Sequence, residues 1–242
     1  MQFFKMEFRT KQKILKSNIE ILSLMFILCE NFLKVQPKPL DDKYVNNILE
    51  KNKGQIAILR FVEDSDKNLI PNRAFIFWSD KHFMTFALPF FLIREKGQFY
   101  FRLKFADSRN LDVKIIEFLI DFLQNEYVVK VADIFVKSNQ VTFFDFVKFC
   151  VENDKRDNEF LNFITDILFK IFSFDYGYIR KDKISKKDIG DSEIDHPIHH
   201  LDFSYQHKNY DLKIGLEDNF DLKCFVDLFN PYSQCFTLRS QK

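Results

Sequence analysis

Four apolar stretches, Ile56 to Val62, Arg73 to Trp78, His82 to Ile93 and Gln98 to Phe105, follow one another with little chain between them. Parallel neighbours need a crossover of about a dozen residues or more, most often a helix. These connections are too short for that, and Ser79-Asp80-Lys81 and Glu95-Lys96-Gly97 read as turns. The region is therefore expected to be an antiparallel meander, with a break near Pro89.

Helical periodicity frames this meander. Residues 14 to 34 carry Leu15, Ile19, Leu22, Phe26 and Phe32 with further apolar residues between them, which predicts a helix covered on most sides and ended by Pro37-Lys38-Pro39. A shorter helix is expected from Asp42 to Lys51, stopped at Gly54. Val113, Ile116, Ile120 and Leu123 mark one face of another helix, and Val128 to Val136 reads as a strand. Thr142 is placed to cap a helix through Val151, and Asp157 or Asn158 to cap one carrying Leu161, Ile164, Leu168 and Ile171. The last third reads as a strand from Phe174 to Ile179, a polar loop over 180–195, a hairpin of His199 to Tyr205 with Tyr210 to Leu216, and a helix from Asn219 to Phe229. The sum is a single α+β domain: a helical part over 1–53, a strand-rich part over 54–140, and helices plus a histidine-rich hairpin over 141–242.

Several large function classes are excluded. The five glycines are scattered, so neither a phosphate-cradling loop nor a dinucleotide fingerprint is present, and Gly-x-Ser-x-Gly is missing. No nucleotide P-loop or NAD site is expected. A net charge of +1 gives no general grip on a nucleic-acid backbone. Two basic runs, one from Lys5 to Lys16 and one from Arg180 to Lys187, are read as a solvated arm and a solvated loop. The 32 phenylalanines accompany many Lys, Asn, Ile and Asp, a bias that fills a core before it builds a stacking surface. Cys29, Cys150, Cys224 and Cys235 form no Cys-x-x-Cys pair, which fits free thiols in a cytoplasmic protein. The apolar run Ile21 to Cys29 is too short to span a bilayer, so no membrane association is expected.

Chemistry concentrates between residues 193 and 216, which hold four of the five histidines. Strand alternation puts His200, Asp202 and Ser204 on one face and Leu201, Phe203 and Tyr205 on the other. Asp211 and Lys213 would join the polar face from the returning strand, and Asp175 from the preceding one. In one reading, His196, His200 and Asp202 or Asp175 hold a divalent zinc or manganese ion while Lys213 stabilises a developing anion. In a second, Asp211-x-Lys213 is the tail of a magnesium-dependent nuclease pattern. In a third, these residues are the wet face of an ordinary antiparallel sheet. If the cluster is functional, His200→Ala is expected to abolish activity and leave thermal stability nearly unchanged, because a polar residue on a wet face adds little to the core; if it is only structural, the change is expected to be silent or to lower both together.

Phe174-Asp175-Tyr176, a polar gap, His196-Pro197-x-x-His200-Leu201 and Lys213-Ile214-Gly215 resemble a prokaryotic domain family of unknown function, over about the last quarter of the chain. Where that family tends to have a further histidine this chain has Asp202, and where it tends to have arginine it has Lys213, which keeps the charge and loses the bidentate fork. The resemblance implies a bacterial accessory protein of a nucleic-acid-directed system, such as phage defence or a mobile element. The site expected for it comprises Asp175, His196, His200, Asp202 and Lys213, and the enzyme version is a metal-dependent nuclease or phosphodiesterase. The competing expectation is a non-catalytic subunit that binds a partner protein, with nucleic acid as a further possible partner.

Overall fold

Residues Ile56–Phe61 and Asn72–Phe77 are buried at every position, so these strands have no solvent-facing side and belong inside a sheet covered on both faces. The computed structural model describes residues 2–7, 18–41, 48, 55–62, 72–78, 82–103, 110–124, 158–172, 174, 176–183, 199–204, 212–216 and 220–230; at 18, 19, 158, 161, 182, 183, 204, 212 and 213 only the backbone is described. In chain order the elements are β1 (Gln2–Glu7), α1 (Asn18–Val35), β2 (Ile56–Phe61), β3 (Asn72–Phe77), β4 (Phe83–Leu88), β5 (Phe90–Glu95), β6 (Gln98–Leu103), α2 (Val113–Gln124), α3 (Asn158–Phe172), β7 (Tyr178–Lys183), β8 (His199–Ser204), β9 (Leu212–Gly215) and α4 (Leu222–Asp227). The architecture is α+β, with an antiparallel sheet ordered β1-β2-β3-β4-β7-β8-β9 and a separate β5-β6 hairpin.

The expected meander thus divides at Pro89, which lies between β4 and β5. Proline offers no N–H to a ladder, and here the chain leaves the large sheet and starts the hairpin. The hairpin register runs from Phe90 opposite Leu103 to Glu95 opposite Gln98. Its two-residue turn holds Lys96 at φ 49° and Gly97 at φ 85°, the left-handed pair that matches strand twist in a tight hairpin.

The chain forms two compact units. The first comprises Met1–Lys13, Lys38–Ala87 and Gly177–Lys242; the second comprises Ile14–Pro37 and Leu88–Tyr176. In the second, α1 is buried at Leu22, Met25, Phe26, Cys29 and Phe32, as its unbroken apolar pattern requires. Phe32 meets Phe99 and Phe101 of β6, with ring centroids 5.6 and 5.4 Å apart. Gln36, at φ 50°, ends α1: its side-chain amide donates to Leu33 O and its carbonyl oxygen accepts from Phe99 N at 2.7 Å. In α2 the buried residues are Ile116, Leu119, Ile120 and Leu123, and Asp112 caps its start by accepting from Ile115 N at 2.9 Å. Among the described residues no helix is long and apolar enough to cross a membrane.

Cys29 is a free, fully buried thiol whose pKa burial pushes far up. Thiolate is the reactive form. Native alkylation at pH 8 followed by peptide mass analysis should leave Cys29 unmodified, while Cys224, half-buried and free, labels first of the two. Cys150 and Cys235 lie outside the described residues.

In the first unit one sheet face packs Ile56, Ile58, Phe75, Phe77, Phe83, Ile179 and Leu201 against Leu222, Phe225 and Val226 of α4. Asp221 caps α4 by accepting from Cys224 N at 2.8 Å.

Three local readings change. The segment expected to start a solvated arm is strand β1, with Phe3, Phe4 and Met6 buried against β2. The strand expected over 174–179 runs instead from Tyr178 to Lys183, so the loop expected at 180 starts as strand and Lys181 is buried. Of the helix expected over 42–51 only Ile48 is described; the strand over 128–136 and the helix from Thr142 lie outside the described residues.

Candidate functional site

The alternation in His199–Ser204 has the expected consequence on one side: Leu201 is buried in the apolar cluster beneath α4. On the opposite side stand His200 and Asp202. The β7–β8 register sets Arg180 opposite Asp202 and Asp182 opposite His200; the β8–β9 register sets Lys213 opposite Asp202 and Gly215 opposite His200.

Arg180 is the residue that the sequence reading missed. Its Nη2 donates to Asp202 Oδ2 at 2.6 Å, a charge-assisted contact. The other carboxylate oxygen, Oδ1, lies 3.4 Å from His200 Nε2, an ion-pair distance longer than a well-formed hydrogen bond. Side-chain exposure is 18% for Arg180, 13% for Asp202 and 2% for His200. The wet face expected around His200 is therefore a closed one, and the expectation that His200→Ala spares stability is withdrawn: a buried imidazole contributes packing as well as polarity.

Burial acts to raise the Asp202 pKa, but His200 and Arg180 together outweigh it and hold the carboxyl below its ordinary value. A group depressed in the folded state contributes stability above its unfolded pKa, near 4, that is lost as pH falls through the folded value. The unfolding free energy should therefore decline on acidification below about pH 4, and Asp202→Asn should flatten that part of the profile, measured by urea titration at a series of pH values.

The other expected members are only partly in view. Asp175 and His196 lie outside the described residues, and Lys213 is described by backbone alone. The strand that was to carry Asp175 begins at Tyr178, beyond it. Among the described residues no three His, Cys, Asp or Glu side chains gather as metal ligands do. The donor set nearest to that description, His200 and Asp202, has a guanidinium already on Asp202 Oδ2. A divalent ion there would face that positive charge or have to displace it.

Chemically, an Asp–His contact is the arrangement that orients an imidazole for proton transfer. Such a base must also reach the proton it takes. At 2% exposure His200 presents no surface for that in this conformation. Its cluster joins β7 to β8 through side chains as well as through the ladder. No protein-family model, curated protein or solved structure matches the chain, so the family resemblance rests on the quoted residues of the last quarter alone.

Proposed function

We propose that this chain is a non-catalytic, protein-binding subunit of a larger complex, and that Arg180, Asp202 and His200 fasten its sheet instead of carrying a reaction. One observation carries the reading: the carboxylate that would serve as ligand or base partner is engaged by Arg180 at 2.6 Å, beside an imidazole with 2% exposure. Among the described residues this cluster offers no open reaction centre, and the reading is that the chain acts through what it binds. The nucleic-acid-directed setting implied by the family resemblance is kept as the context of that complex.

A second reading, a metal-dependent nuclease or phosphodiesterase, is favoured by a different observation. His200 and Asp202 share a sheet face, and Lys213 is the register partner of Asp202. Purification from native cells without chelator, followed by elemental analysis and sizing, separates the two. The subunit reading predicts a heteromeric assembly holding far less than one zinc, manganese or magnesium per chain, with a melting temperature indifferent to chelator. A monomer with about one bound metal per chain, destabilised when it is removed, overturns that reading and supports the enzyme.

A further inference from the structure

We draw no further inference here: the strongest candidate, the face of the β5–β6 hairpin turned away from α1, where Phe91, Ile93 and Tyr100 are half-buried, carries no proposal because nothing among the described residues shows what covers it.

Discussion

Arg180→Ala should destabilise the sheet-bearing unit by up to about 3 kcal/mol, the lower end of the range for removing one partner of a buried ion pair, because this pair is part-buried. In a chain of this size that corresponds to a fall in melting temperature of about 6–12 °C, read by circular dichroism. The loss arises from what is left behind. Asp202, 13% exposed in the wild type, would keep its place opposite position 180, and among the described residues the long contact to His200 is what would remain to compensate its charge. An Arg180→Ala protein that melts within about 1 °C of wild type, well inside the scatter expected of a surface substitution, would mean that the pair is solvated and the cluster open.

Phe225→Ala should cost about 3–5 kcal/mol, as large-to-small changes at fully buried aromatic positions do. Phe225 has no exposed surface and packs its ring on Phe83, Phe75 and Phe229, at centroid distances of 4.6, 6.4 and 5.6 Å. Little nearby can collapse into the space, because Phe75 and Phe83 are fixed by their strands. The readout is a shift of the urea midpoint with an unchanged slope. The contrast with Asp221→Ala is part of the prediction: the cap change costs only ~1 kcal/mol and leaves the packing in place. A Phe225→Ala loss no larger than that of the cap variant would show that α4 contributes little to the core.

The sequence made the central strands legible because their signal is local. Ile56–Phe61 and Asn72–Phe77 are apolar but for Arg60, Asn72 and Arg73, and turn residues bound β4, β5 and β6. The hairpin of β8 and β9 and the capped α4 were legible for the same reason. What failed were the places where charge is buried. Lys5 and its basic neighbours drew attention from Phe3, Phe4 and Met6, which carry β1. Arg180 and Lys181 suggested a loop, yet Lys181 packs on Phe83 and Arg180 pairs with Asp202. A cation is read as solvent-facing until its partner is known, and these partners lie far along the chain. The displaced strand also bears on the site: a strand starting at Phe174 would carry Asp175, whereas the strand that starts at Tyr178 sets Arg180 opposite Asp202. His200 and Asp202 were found because alternation depends only on β8 itself; their burial depends on everything packed around it.

The claim that Arg180, Asp202 and His200 form a closed clamp is tested most directly by a double-mutant cycle with Arg180→Met and Asp202→Leu. Each single change takes from the other residue its partner in the pair, and the double change removes both. Replacement of a whole buried pair by apolar groups of similar volume is often neutral. The account therefore predicts that each single variant loses stability and that the double variant regains most of the wild-type melting temperature. Losses in the double variant equal to the sum of the two single losses would mean that the two residues do not act on each other, and would contradict the clamp.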